Sequence, residues 1–335
     1  MDLNIVWFIL ITVLFSGFFL LEGFDYGVGH LAPFITDDSK ERRLLLHTIA
    51  PVWDGNEVWM ITAGGALFAA FPHVYATLFS AFYLLLFLLL MALILRGAGI
   101  ELRNRSAFPE WHNFWDWAVS FGSALPAFLW GVTVANLCAG LEINANMIYI
   151  GKMLDLLSGY TLVGGLTFLA VFSFHGAAFL LLRLSHSPLE ERVSRMGRRV
   201  GLVAIAAFAI YLGLTAVHTD IFSMTVAPLF LIAAAVVFIV GYGFFFKGRP
   251  VPAFALTSAA IVLTTVGVFA ALFPNLMISN MNPAYNLTIY NAASSPYTLT
   301  VMTIAAACLV PVVLIYQGWT YWVFRKRVTL HDMEH

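Results

Sequence analysis

Four carboxylates lie within two apolar segments near the start of the chain, where ionised side chains are costly. Glu22 and Asp25 are three residues apart, and Asp54 and Glu57 repeat that spacing. Because residues three apart lie on the same face of a helix, each pair should project in one direction. An ionised residue in the middle of a bilayer costs on the order of 2.5–3.5 kcal/mol on insertion scales. These residues are therefore candidates for function.

The chemistry that such pairs could perform is proton transfer. The two segments are joined by a short loop, so we expect the carboxylates to meet, and carboxylates in a poorly solvated site favour retention of a proton near neutral pH. We assign Asp25 and Asp54 as relay residues, with Glu57, Glu22 and His30 as secondary candidates. The alternative for Asp54 is stabilisation by the helix dipole, and for the others it is capping or solvation at the membrane surface.

Metal and cofactor ligands are weakly indicated. Cys138 and Cys308 lie in apolar segments, and the sequence contains no CxxC motif or mixed Cys/His cluster, so we predict no metal site. His175 lies in the middle of an apolar segment. A single histidine without a matching Met or His is poor evidence for a haem ligand. We therefore assign no cofactor directly to this chain.

The composition indicates an integral membrane protein. Hydrophobic residues make up 61% of the chain and charged residues 10%, whereas roughly 25% charge is typical of soluble domains. The net charge of -1 argues against a nucleic-acid partner. Each crossing takes about 20 apolar residues, so the 335 residues have room for about nine or ten crossings. We predict an all-α fold of nine transmembrane helices at the following positions: 5–28, 51–71, 74–95, 115–138, 160–183, 199–219, 224–246, 252–273 and 297–324.

The basic residues predict an orientation for these helices. All of the 17 Lys and Arg residues except Lys152 fall in alternate connections. Because cytoplasmic loops carry the excess of positive charge, these connections should be cytoplasmic. The N-terminus is then predicted outside and the C-terminus in the cytoplasm.

The chain is predicted to form a single polytopic membrane domain over residues 1–335. The first and fifth helices run in the same direction and carry similar stretches, Phe24-Asp25-Tyr26-Gly27 and Phe174-His175-Gly176. This similarity suggests two four-helix bundles followed by one extra helix. The corresponding ranges are 1–138, 160–273 and 297–324.

Three motifs resemble those of subunit II of cytochrome bd-type quinol oxidases. They are Glu22-Gly23-Phe24-Asp25-Tyr26-Gly27-Val28-Gly29, Ala50-Pro51-Val52-Trp53-Asp54-Gly55-Asn56-Glu57-Val58-Trp59 and Ile61-Thr62-Ala63-Gly64-Gly65-Ala66-Leu67-Phe68-Ala69-Ala70-Phe71-Pro72. The resemblance is strongest over 20–95. Over the rest of the chain it is compatible in helix number and orientation.

The resemblance implies a role in a bacterial terminal oxidase of the cytoplasmic membrane. Such a complex would oxidise quinol and reduce oxygen to water, taking protons from the cytoplasm and generating a membrane potential without pumping. Two haems of type b and one of type d are expected in a larger partner, subunit I. Lipid, quinone and small accessory membrane subunits are further expected partners.

The resemblance also bears on individual residues. Asp25 and Asp54 occupy motif positions associated with a proton or oxygen route toward the haems, whereas the residues at Glu22 and Glu57 vary in the family. Subunit II in this family is needed for haem assembly. This chain is then the haem-free partner of subunit I.

Two other classes of protein stay open at this point. A proton-coupled secondary transporter also uses buried carboxylates and internal repeats, and it predicts helices interrupted at matching positions in two halves. Four prolines lie instead at or beside the ends of the apolar runs: Pro51, Pro72, Pro250 and Pro274. A structural membrane scaffold would use the same polar residues only for packing and capping.

Overall fold

The computed structural model describes residues 2–185 and 187–330, most of which are helical. Its α-helices are α1 (Leu3–Ile35), α2 (Ser39–His47), α3 (Trp53–Ala70), α4 (Pro72–Ala81), α5 (Tyr83–Leu102), α6 (Pro109–Ala139), α7 (Gly159–Arg183), α8 (Ser187–His218), α9 (Ala227–Phe246), α10 (Pro250–Leu272) and α11 (Pro296–Val323). Two short antiparallel strands, β1 (Asn275–Met277) and β2 (Leu287–Thr288), lie between α10 and α11.

Eight of the helices in this part of the chain are long and apolar enough to cross a membrane. They are α1, α5, α6, α7, α8, α9, α10 and α11. The predicted all-α membrane fold is thereby confirmed. The predicted segment 51–71 corresponds to α3, an 18-residue helix that carries Asp54 and Glu57 and is not among the eight. The count of nine crossings and their orientation stay predictions.

Several helices extend beyond the predicted boundaries. The predicted segment 74–95 is divided at Phe82 into α4 and α5, and α5 continues to Leu102. Arg96, which the sequence placed in a loop with other basic residues, therefore lies inside a helix. The apolar run marks only the part of a helix that faces lipid or core, because Arg and Glu are themselves good helix formers.

Helix α1 is at the centre of the fold. It packs against α3, α6, α7 and α10, and its buried residues include Glu22 and Asp25. Helices α1 and α7 approach through glycines. A Cβ atom on Gly27 would lie 2.0 Å from the carbonyl oxygen of Phe172, and one on Gly176 would lie 2.5 Å from the backbone of Gly27. This contact joins the ranges 1–138 and 160–273, whose division into two bundles stays a prediction.

Replacing Gly27 by Ala will destabilise the fold. The added methyl group meets backbone rather than a flexible side chain, so the helices must separate, at a cost of about 1–3 kcal/mol or more. The measurement is the thermal unfolding midpoint of the purified protein in detergent. Gly213→Ala on α8 is the matched control, because within the described part of the chain no atom lies within 4 Å of its Cβ position. An unchanged midpoint for Gly27→Ala would contradict the expectation.

Candidate functional site

A buried guanidinium lies among the predicted carboxylates. Arg96 of α5 has an exposed fraction of 0%. Its Nη1 donates to the carboxylate of Glu22 and, over 2.7 Å, to Oε1 of Glu57. The ion pairs therefore join three helices, with Glu22 on α1, Glu57 on α3 and Arg96 on α5.

Two aromatic rings flank this guanidinium. The Cζ atom of Arg96 lies 5.0 Å from the ring centroid of Tyr26 and 5.9 Å from that of Trp53. The faces of aromatic rings attract cations, most strongly where water is excluded. Tyr26 and Trp53 thus replace part of the hydration that Arg96 lacks.

Asp25 is bound by a different set of residues. It is fully buried, and its Oδ2 accepts a hydrogen bond of 2.6 Å from Nδ2 of Asn56 on α3. The Asn56 oxygen accepts from the hydroxyl of Tyr321 at 2.7 Å and from Nε2 of Gln317 at 3.3 Å. Asp25 is therefore linked to α11, the last helix within the described residues.

The cluster formed by Glu22, Asp25, Glu57 and Arg96 carries more acid than base. One guanidinium can balance only one of the three carboxylates, so full ionisation would leave two negative charges in a largely buried site. Burial of uncompensated charge is strongly unfavourable, and protonation of a carboxyl relieves it. Within the described residues, Glu22 Oε2 and Asp25 Oδ1 also have no hydrogen-bond partner. The arrangement can therefore hold and exchange protons.

Asp54 and His30 lie outside this cluster. Asp54 is exposed in the first turn of α3, one turn before Glu57. His30 is half-buried on α1. Its carbonyl oxygen accepts from the Ser120 hydroxyl at 2.8 Å, and its ring centroid lies 5.3 Å from that of Phe34. The structure thus gathers Glu22, Asp25 and Glu57, places Asp54 near them at the surface, and packs the His30 ring against Phe34.

Sequence reasoning missed the residues that bind the carboxylates. The sequence placed Arg96 in a connection between helices with other basic residues. The residues that follow it, Gly97 to Ile100, are nevertheless uncharged and mostly apolar. A group of buried acids needs a counter-charge, and that requirement could have identified Arg96. Nothing in the sequence linked Gln317 and Tyr321 to the carboxylates. They are distant from Asp25 and Asn56 along the chain, and such residues are typical of a helix end at the membrane interface.

A second buried ion cluster holds the loop between α1 and α3. Asp116 of α6 accepts from Arg103 Nη2 at 3.1 Å and from Arg42 Nη1 at 3.4 Å. The Nε of Arg42 also donates to the carbonyl oxygen of Thr36 at 2.7 Å. These bonds fix the segment that connects the two carboxylate-bearing helices.

His175 does not fit the role of an axial haem ligand. Its Nδ1 lies 2.9 Å from the Thr257 hydroxyl, and its Nε2 lies 3.2 Å from the carbonyl oxygen of Leu20. The ring also stacks on Phe254 with a centroid separation of 4.6 Å. Both ring nitrogens have partners within the chain, and His175 joins α1, α7 and α10.

The fold and this site define a polytopic helical membrane protein with a buried carboxylate–guanidinium cluster. The family described as cytochrome bd terminal oxidase subunit II matches residues 3–324. Cytochrome bd ubiquinol oxidase subunit 2 of Bacillus subtilis (strain 168) is 40% identical over 330 residues, covering 98% of this chain and 97% of the relative. Cytochrome bd-I ubiquinol oxidase subunit 2 of Escherichia coli (strain K12) is 33% identical over 377 residues, covering 99% and 97%.

A solved structure supports the same fold. The bd oxidase from Geobacillus thermodenitrificans contains a chain that matches with a TM-score of 0.74 and 16% identity, covering 97% of this chain and 100% of that one. This chain belongs to the cytochrome bd terminal oxidase subunit II family. It is accordingly a multi-pass protein of the bacterial cytoplasmic membrane and a subunit of a cytochrome bd oxidase, whose partner is a subunit I.

Proposed function

We propose that this chain is the haem-free subunit of a heterodimeric terminal oxidase that oxidises quinol and reduces oxygen to water. Family membership over nearly the whole chain supports this proposal. The two haems b and the haem d are assigned to subunit I, and this chain supports their assembly. The bonding of both His175 nitrogens within the chain agrees with that assignment.

The proposal includes a cytoplasmic proton route that begins at Asp54. Reduction of oxygen to water consumes protons, and protons taken from one side of the membrane make the reaction electrogenic without a pump. Exposure falls along the route: Asp54 is exposed, the Glu57 side chain is 17% exposed, and Glu22 and Asp25 are fully buried. Arg96 stays protonated at physiological pH, so it holds the carboxylates together without carrying protons itself.

The observation that carries this route is the sharing of one buried guanidinium by Glu22 and Glu57, with Asp25 beside them. Balance of charge alone needs only one carboxylate per cation. The additional acids give the cluster its capacity for protons.

An apolar cavity offers space for a lipid or quinone chain. It has a volume of about 510 Å³ and is lined by side chains that include Phe15, Phe68, Tyr75 and Trp130. Gly64 also lines it, and within the described residues no atom lies within 4 Å of its Cβ position. Small accessory subunits stay expected partners on the grounds of family resemblance alone.

Substituting Asp54 by Asn tests the proposed function. Quinol-dependent oxygen uptake by the purified complex should fall several-fold, and haem content, read from a reduced-minus-oxidised spectrum, should stay normal. The effect should be smaller than at a buried relay residue, because water reaches an exposed carboxylate. Glu101→Gln is the matched control, since Glu101 is an exposed carboxylate at the end of α5.

The same measurements separate the alternatives. Normal turnover with normal haem content would reject a relay role for Asp54, and lost haem would indicate an assembly role instead. The secondary transporter considered from the sequence is set aside, because the chain belongs to the oxidase subunit II family over residues 3–324.

A further inference from the structure

Helix α11 is joined to the interior by polar contacts at its C-terminal part. Along its length only Leu299 is buried among the described residues. Gln317 and Tyr321 are nevertheless half-buried and four residues apart, so they project from one face of the helix. That face is directed toward Asn56 of α3, which is fully buried.

The contacts of Asn56 orient its side-chain amide. The hydroxyl of Tyr321 and the amide nitrogen of Gln317 both donate to the Asn56 oxygen. Nδ2 of Asn56 consequently points at the Asp25 carboxylate, over 2.6 Å. An ionised carboxylate only accepts hydrogen bonds, so a reversed amide would bring two acceptor oxygens together at Asp25.

Gln317 is oriented in the same way. Its oxygen accepts from the indole Nε1 of Trp59 at 2.7 Å, which leaves its nitrogen facing Asn56. The bonds therefore run in one direction, from Trp59 through Gln317 and Asn56 to Asp25, with Tyr321 joining at Asn56. Each N–H or O–H group in this series donates to an amide or carboxylate oxygen.

We propose that Gln317 and Tyr321 are positioning residues for Asp25, acting through Asn56. This inference rests on the proposed role of Asp25 in proton transfer. Helix α11 fixes the amide of Asn56, and the amide fixes the rotamer of the buried carboxylate relative to the Glu22–Arg96 ion pair. When Tyr321 no longer donates, the Asn56 oxygen keeps only the 3.3 Å bond from Gln317, so the amide and the Asp25 carboxylate are held less firmly.

Tyr321→Phe tests the inference by removing one hydroxyl group. The kcat for quinol-dependent oxygen uptake, expressed per haem, should fall about twofold to tenfold, the range expected for loss of one net hydrogen bond. The KM for quinol and the haem content should not change. The rate ratio between water and heavy water should rise, because the affected step is a proton transfer. Tyr316→Phe is the matched control, since Tyr316 is 65% exposed on the same helix.

A double-mutant cycle identifies the path of the effect. In an Asn56→Ala background, Tyr321→Phe should cause no further loss, because interactions that act through a shared partner are not additive. Asn56→Ser serves if the alanine variant does not assemble. The inference is overturned if Tyr321→Phe leaves kcat unchanged, if its effect persists without Asn56, or if it lowers only the amount of complex with an unchanged isotope ratio.

Asp25→Asn, measured in the same assays, distinguishes failure of the relay role of Asp25 from failure of the positioning role of Tyr321. If Asp25→Asn turns over normally, the proposed relay fails and the positioning role fails with it. If Asp25→Asn is inactive while Tyr321→Phe retains its kcat, only the positioning inference is rejected.

Discussion

Asp25→Asn will nearly abolish quinol-dependent oxygen uptake while leaving the haems in place. Asparagine has almost the same shape as aspartate, and its side-chain oxygen can still accept from Nδ2 of Asn56. What is lost is the ability to bind and release a proton. Positioned acid–base groups contribute roughly 10²–10⁴-fold to rates, so a loss of about two orders of magnitude or more is expected.

The measurement is oxygen uptake per haem in purified complex, with the reduced-minus-oxidised spectrum as the test of assembly. Asp220→Asn provides a matched control, because Asp220 is exposed and makes no capping bond to the short helix that follows it. Turnover close to that of the unmodified protein would remove Asp25 from the route. A loss of haem in proportion to activity would assign Asp25 to assembly.

Arg96→Met will prevent stable assembly. The substitution leaves Glu22, Asp25 and Glu57 around an apolar side chain, in a region where Glu22 and Asp25 are fully buried. Removing one partner of a buried ion pair costs about 3–5 kcal/mol, because the remaining charge is uncompensated. That amount is a large part of the total stability of a typical protein, about 5–15 kcal/mol. We expect little haem-containing complex in membranes and a strongly lowered unfolding midpoint in detergent.

Two further variants make this expectation specific. Arg195→Met removes a cation from an exposed pair with Glu191, where the side chains are 62% and 76% exposed, and such pairs are worth about 0–1 kcal/mol. Adding Glu22→Gln and Glu57→Gln to Arg96→Met removes two of the three uncompensated carboxylates, so part of the lost stability should return. Normal assembly of Arg96→Met by itself would show that the carboxylates do not depend on the guanidinium.

The sequence predicted that the two carboxylate pairs would lie close together, and the structure brings Glu22, Asp25 and Glu57 together. Helical spacing and the cost of charge in lipid indicated Glu22 and Asp25 on one face, and a short loop indicated that α1 and α3 meet. The sequence ranked Asp54 above Glu57 as a relay residue, whereas the structure leaves Asp54 exposed and pairs the partly buried Glu57 with Arg96. Their different exposure depends on the position of α3 relative to α5. The spacing of residues along one helix gives no information about that position.

Helical spacing and hydropathy did not predict the residues that bind the carboxylates. Arg96 follows an apolar run and was therefore predicted to lie in a loop. Hydropathy shows where an apolar run ends, but it does not show whether the helix continues beyond that point. Asn56 meets Gln317 and Tyr321 across more than 260 positions of the chain. A single sequence contains no record of which distant segments pack together, so this link required the structure.

The contact between Gly27 and Gly176 has a consequence for how the protein can change over evolutionary time. Each position already has the smallest side chain that exists, so a larger residue at one cannot be offset by a smaller residue at the other. The distance between the axes of α1 and α7 is therefore set by backbone alone. Lineages can vary the lipid-facing surfaces on either side, but both positions are expected to stay glycine.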